Sequence, residues 1–285
     1  MAVAFCSSFV EVLPTDGIQR VGCRPTSSEN KLLEMKENDS FYEQYWGSIE
    51  QWSFREGKIE RLEAQIFARL LMHGLRCLDY GYGDGLRYGK FLTDLGIDYR
   101  GADISDVALK RGAGQGLRVD RIGPDGTTTF DAASFDVALC MEVFEHLIEL
   151  GRALAELHRV LKPGGRLIAS VPNAAYWITR VEFLVRGFLN YGGSPLTSRK
   201  ASWNDPHVRF FSPAMFAAMV RSGGFEVLEL LGSELDLGWL PYVYRRPVLH
   251  RCFTALSYPI MWLGRVWPSL FASRLFLVAQ KEGQQ

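Results

Sequence analysis

The stretch Leu78-Asp79-Tyr80-Gly81-Tyr82-Gly83-Asp84-Gly85 decides how the chain is read. Upstream, Leu75 to Tyr80 is a short apolar run that ends in glycines, the pattern of a buried strand. Downstream, Leu86 to Leu95 reads as a helix closed by Gly96. Glycines at alternate positions between the two let the backbone turn sharply and let a ligand touch the main chain. The spacing is G-x-G-x-G. A dinucleotide fingerprint needs glycine at the sixth position, which here is Leu86. A phosphate-binding loop would end in G-K-[ST], whereas Gly85 is followed by Leu86-Arg87. The next predicted strand, Tyr99 to Ile104, carries Asp103, and an acid at the end of that strand can accept both hydroxyls of a ribose. Loop and acid together imply a cofactor with a nucleoside and no pyrophosphate. The alternative is a plain strand–turn–helix with a surface aspartate.

Outward from this stretch, strand and helix alternate. A helix over Arg55 to His73 precedes it, with Ile59, Leu62, Ile66, Phe67, Leu70 and Leu71 at helical spacing and Gly74 as its cap. After it come a short helix from Ser105 to Arg111, a weak strand from Leu117 to Ile122 and a strong strand from Phe135 to Met141. Leu147, Leu150, Leu154, Leu157 and Leu161 mark a long amphipathic helix, stopped by Lys162-Pro163-Gly164-Gly165. A fifth strand spans Arg166 to Val171. The rhythm lapses after Asn173 and resumes with a helix from Pro213 to Arg221, a strand from Phe225 to Leu231 and a last strand from Arg274 to Lys281. Such alternation favours a parallel sheet covered by helices on both faces.

Composition narrows the function classes. The chain has 285 residues, 47% hydrophobic and 22% charged, which excludes disorder of the whole. Lys and Arg total 32 against 32 acids, so bulk electrostatic binding of nucleic acid is not expected. The 5 cysteines are widely spaced with no C-x-x-C, which argues against a disulfide scaffold or a zinc ribbon and for a reducing cytoplasm. Neither a signal peptide nor a transmembrane helix is expected. Residues 1–40, rich in Ser, Thr, Pro and Gly, read as an extension with little structure, ahead of a domain over 41–285.

The motifs taken in order closely resemble class I S-adenosylmethionine-dependent methyltransferases. Leu78 to Gly85 resembles their first motif, Gly101-Ala102-Asp103-Ile104-Ser105 their second, and Phe135-Asp136-Val137-Ala138-Leu139-Cys140-Met141-Glu142-Val143-Phe144-Glu145-His146 their fourth. Leu161 to Gly165 and Ser170-Val171-Pro172-Asn173 match a helix end and the fifth strand, and His207 to Pro213 resembles a segment before the late helix. The resemblance implies a Rossmann-like, doubly wound, three-layer αβα fold. Its seven-stranded sheet would be mostly parallel, with the last strand antiparallel. It implies S-adenosyl-L-methionine as cofactor. Gly81, Gly83 and Gly85 would approach its methionine part, Asp79 would orient the loop and the ammonium, and Asp103 would hold the ribose. An acid after the third strand would lie near adenine, with Asp125 the candidate and Asp120 its competitor. Main chain at Cys140 and Met141 would lie near the sulfonium. Tyr82 departs from the family, where small residues such as Cys are usual, and would change the pocket wall.

Glu142, Glu145 and His146 stand at i, i+3 and i+4, so a helix start would put them on one face. Two carboxylates and an imidazole can hold a divalent ion such as magnesium or zinc, with His207 as a fourth ligand or a general base. The E-x-x-E-H pattern resembles one used for metal by ubiquinone-biosynthesis O-methyltransferases and small-RNA methyltransferases. The competing reading places the acids at a helix N-terminus and His146 in a polar core. His146, His207 and Glu142 are the catalytic candidates; His158 reads as a surface residue, and His73 and His250 carry no constellation.

Acceptor specificity would come from two aromatic-rich insertions, about 176–205 and 236–270. The second adds Arg245, Arg246 and Arg251, and either a helical cap or a membrane-surface patch fits that composition. The expectation is methyl transfer, at oxygen, to a small-molecule, lipid-linked or glycan acceptor, in a cytoplasmic protein with a peripheral membrane contact as its variant. A nicotinamide-dependent oxidoreductase and a non-catalytic scaffold of the same fold are the alternatives.

Overall fold

The computed structural model describes Glu43 and residues 59–83, 85, 87–187, 207–233 and 263–283. The N-terminal extension, the Arg245/Arg246/Arg251 cluster, His250 and much of both insertions lie outside the described residues.

One seven-stranded sheet organises the chain. Its strands are β1 (Arg76–Tyr80), β2 (Asp98–Asp103), β3 (Val119–Arg121), β4 (Phe135–Met141), β5 (Leu161–Pro172), β6 (Phe225–Gly232) and β7 (Arg274–Lys281). The order across the sheet is β3-β2-β1-β4-β5-β7-β6. The first five pair in parallel, and β7 runs antiparallel to both β5 and β6. The fold class expected from the motifs is the one observed.

Side chains alternate between two cores, as the period of a strand requires. Leu78, Tyr80, Ala138, Cys140, Leu167 and Leu277 face one, and Cys77, Val137, Leu139, Ile168 and Val278 face the other. Helices cover both. The first core takes Leu154 and Leu157 of α4 (Leu150–Val160) and Phe216 and Val220 of α6 (Pro213–Ser222). The second takes Leu62, Ile66 and Phe67 of α1 (Arg61–Leu70) and Leu92 of α2 (Gly89–Asp94). The sheet is therefore buried on both faces, which is why its central strands are apolar on both sides along most of their length.

Helix limits differ from the sequence reading where local chemistry intervenes. α1 starts at a capping box between Glu60 and Glu63 and ends at Leu70, because Leu71 turns extended to bury its side chain. α3 (Asp106–Gly114) begins where Ser105 accepts the Ala108 N–H, and it outlasts the predicted Arg111. The predicted leucine helix from Leu147 starts only at Leu150, preceded by a 3₁₀ turn at Phe144–His146. Its stop also falls earlier. β5 opens at Leu161, and between the pairs Phe135–Leu161 and Val137–Arg166 it advances five residues against two, looping out Lys162 to Gly165.

The sequence stretch without rhythm contains α5 (Trp177–Arg186), closed by Gly187 in the left-handed region. Ahead of β7 come two short helices, α7 (Leu263–Val266) and α8 (Pro268–Phe271). Among the described residues no helix is long and apolar enough to cross a membrane.

Candidate cofactor and acceptor site

The glycine loop leaves β1 as a tight crook at the C-terminal edge of the sheet, where ligands of open α/β sheets bind. Gly81, Gly83 and Gly85 have φ of 76°, 63° and 71°, a region that residues with a Cβ rarely enter. A Cβ on Gly81 would also lie 2.6 Å from Val143 Cγ2. The crook is fastened to β2: Gly81 N–H donates to the Ala102 carbonyl at 2.7 Å, and Gly83 N–H donates to Asp103 Oδ2 at 2.9 Å. Asp103 Oδ1 accepts the Ser105 N–H at 3.0 Å. The two strand tips thus face each other, with the acid between them.

Two buried carboxylates lie beneath the crook. Asp79 accepts the Tyr99 hydroxyl at 2.8 Å. Burial pushes its carboxyl up to about 7; the Tyr99 hydrogen bond opposes this and the nearby Asp103 adds to it. Burial also pushes Asp103 up to about 6, against the pull of the Ser105 and Gly83 N–H groups. Among the described residues no cation pairs with either acid. A ligand carrying a sulfonium and an ammonium supplies that charge, so the donor set fits S-adenosylmethionine.

Tyr82 turns away into the protein, where its hydroxyl donates to the Ala108 carbonyl. Cys140 is fully buried and Met141 nearly so, and burial pushes the Cys140 thiol up, leaving it neutral. Asp125 closes its own turn, accepting from Thr127 N and Thr127 Oγ1 at 3.2 and 2.7 Å, and the Thr127 hydroxyl holds it below its usual range. Asp120 sits in β3 beside Ala102, with Oδ2 buried and without a hydrogen-bond partner among the described residues.

Beyond β4 lies the acidic cluster. Glu142 adopts φ 56°, so no helix begins there and the three residues do not share a helical face. Its carboxylate accepts the Ser170 hydroxyl at 2.7 Å and lies 4.0 Å from Arg274. Glu145 is 1% exposed, and neither carboxylate oxygen accepts a hydrogen bond from a described residue. Burial, with the charge of Glu142 next, raises its carboxyl well above the usual range.

His146 Nε2 and His207 Nε2 stand 3.8 and 4.0 Å from Glu145 Oε1, and their rings stack with centroids 4.6 Å apart. Ligand atoms of Glu145, His146 and His207 all lie within 4.8 Å of one another. The structure therefore joins His207 to Glu145 and His146 and leaves Glu142 outside that trio.

His207 arrives because its segment is clamped. Val208 and Arg209 N–H groups donate to the Glu145 carbonyl at 2.9 and 3.1 Å. Arg209 Nε and Nη2 donate to the carbonyls of Leu147 and Ile148. Sequence reading had quoted this segment without seeing the clamp. Tyr99 and Arg274 stand in no motif that assigns them a site role, and Ser170 stands in one that marks only its strand.

A methyltransferase domain family matches residues 51–230, well over half of the chain. The chain belongs to that family, and fold and family together make it a class I S-adenosylmethionine-dependent methyltransferase. Among curated relatives it is similar to a ubiquinone biosynthesis O-methyltransferase of Azorhizobium caulinodans, 33% identical over 175 residues. That match covers 58% of this chain and 64%, just under two thirds, of the relative. A second such enzyme, from Hahella chejuensis, is 28% identical over 241 residues, covering 75% of this chain and 94% of its own length. Among solved structures, an S-adenosylmethionine-dependent methyltransferase of Thermotoga maritima, a possible histamine N-methyltransferase, superposes with a TM-score of 0.57 at 19% identity. It covers 85% of this chain and 99% of that one, a likeness of fold.

Proposed function

We propose that the protein methylates an oxygen atom of a small-molecule or lipid-linked acceptor, a phenol or quinone-like ring being the more specific variant and a glycan the alternative. The observation that carries this reading is the trio Glu145, His146 and His207 beside the end of β4. A hydroxyl nucleophile must lose its proton, and the trio offers either an imidazole base or a divalent site such as magnesium or zinc. The two O-methyltransferase relatives support oxygen as the target.

The cofactor supplies an electrophilic methyl group when bound. The chain's own residues do the rest. Gly81, Gly83 and Gly85 admit the methionine part, Asp79 faces its ammonium, and Asp103 takes the ribose hydroxyls. Asp125, with Asp120 as competitor, is the acid proposed near adenine. Main chain at Cys140 and Met141 lies near the sulfonium. His207 or His146 accepts the acceptor's proton, and Glu142, held by Ser170 and Arg274, bounds the pocket. Holding the acceptor oxygen in line with the methyl carbon contributes up to about 7–11 kcal/mol in favourable cases. Val266 and Trp267, exposed on the second insertion, support a peripheral lipid contact.

The test is a screen of phenolic, lipid-linked and sugar acceptors with labelled methyl donor, before and after chelation. A labelled methyl ether on a phenolic acceptor is the expected product. Labelling confined to amines would overturn the assignment to oxygen. With a metal in the trio, chelation and Glu145→Ala each abolish transfer; full activity after both would remove the metal from the proposal and leave the imidazole base.

A further inference from the structure

A tyrosine stands on either side of Gly81, and the two hydroxyls reach different parts of the molecule. Tyr80, 2% exposed, donates to the Gly126 carbonyl at 2.8 Å, in the loop between β3 and β4. Tyr82, 8% exposed, donates to the Ala108 carbonyl at 2.7 Å, in the first turn of α3. The Tyr82 ring fills a slot whose walls are glycine. A Cβ at Gly101 would come within 2.9 Å of the ring, and one at Gly112 within 2.5 Å of the hydroxyl oxygen. The Gly126 loop is held from its far side as well: Glu156 accepts Thr128 N–H at 2.8 Å, and Arg159 donates to the Phe130 carbonyl at 2.8 Å.

The two segments reached are those flanking the assigned nucleoside position. α3 follows Asp103 and its hydrogen-bonded neighbour Ser105, and Gly126 follows Asp125. We propose that Tyr80 and Tyr82 are paired positioning residues that set the width of the nucleoside cleft by tying the crook to α3 on one side and to the Gly126 loop on the other. This rests on the cofactor site assigned above. The physical reason is preorganisation. A turn of left-handed glycines has unusual freedom, and whatever is not frozen before binding must be frozen by the ligand. Each neutral hydrogen bond that holds the cleft open at the right span is worth about twofold to tenfold in affinity.

The experiment compares wild type, Tyr80→Phe, Tyr82→Phe and the double variant, each as the full chain. Phenylalanine keeps the ring and removes the tie. Calorimetry reads the affinity for S-adenosylhomocysteine, a thermal scan reads stability, and amide exchange reads residues 106–114 and 123–130 separately. Each single variant should weaken binding about twofold to tenfold, and the double variant by about the product. Exchange should quicken over 106–114 in Tyr82→Phe alone and over 123–130 in Tyr80→Phe alone, and saturating ligand should slow both segments in wild type. Variants that bind like wild type, whatever their melting point, would overturn the proposal and leave the hydroxyls a structural role. A wild type that bound no cofactor product would instead overturn the site itself, and this inference with it. Should a variant fail to fold, unchanged exchange over both segments when wild type binds ligand would overturn the proposal.

Discussion

Asp79 and Asp103 hold protons at a pH where surface aspartates have lost them, because burial has removed water without supplying a counter-charge. Both native values, about 7 and about 6, lie above the ordinary aspartate range. From about 4 up to about 6 for Asp103 and about 7 for Asp79, the unfolded chain ionises these groups while the native chain largely does not. Their contribution to stability is therefore greatest below the unfolded value and declines as pH rises through that window. Binding of a cationic cofactor reverses the preference, because it pairs with the ionised form. Affinity for S-adenosylmethionine should rise from pH 6 to 7.5 with proton release, read by calorimetry in buffers of different ionisation enthalpy; an affinity flat across that range would refute the assignment of these acids. Asp103→Ala should weaken cofactor binding at least about tenfold, the scale of a charge-assisted hydrogen bond. The variant should still melt cooperatively, although it leaves the Gly83 and Ser105 N–H groups without their acceptor.

Elements carried most of what was legible in the sequence. Phe135 to Met141 and Arg274 to Lys281 match their predicted bounds, since a strand buried on both faces declares itself by a mostly apolar run, broken here only by Asp136 and by the polar ends of the last strand. The turn after β4 was not legible. Leucines spaced for a helix hide the fact that Glu142 takes a left-handed backbone, and nothing in that side chain signals it. The crook glycines and Asp103 could be found because backbone conformation and ribose recognition each demand one residue type. His207 was quotable as part of a motif, yet its meeting with His146 depends on Arg209 reaching two carbonyls of another loop. Arg209→Ala should cost about 1–3 kcal/mol of stability, seen as a lower urea midpoint. Methyl transfer should fall more than about tenfold while cofactor affinity holds. Equal losses in both would show that the clamp serves the fold and not the acceptor side.

At the scale of the molecule, a buried acid joins distant parts of the chain. Glu63 is fully buried and accepts from Arg87 at 2.7 Å, from the Tyr88 hydroxyl at 2.9 Å and from Arg274 at 3.2 Å, while Arg274 also pairs with Glu60. α1, the segment leaving the crook and the head of β7 meet there. Glu63→Ala should cost about 3–5 kcal/mol, because two guanidiniums lose their shared partner in a poorly hydrated place; denaturant titration measures it, and a loss under about 1 kcal/mol would mean water replaces the carboxylate.

The position of β7 between β5 and β6 has a consequence for synthesis. On the ribosome, β6 emerges well before the strand that must lie beside it. Until Arg274 to Lys281 clear the exit tunnel, the sheet ends at β5, and the acids of α1 wait for their guanidinium. Pairing of β7 therefore closes the architecture and the edge of the reaction chamber in one late event. A premature stop codon ahead of Arg274 would orphan β6 and unfasten α1 together, and the nascent product would pass to chaperones or proteases instead of surviving as a slightly shortened enzyme.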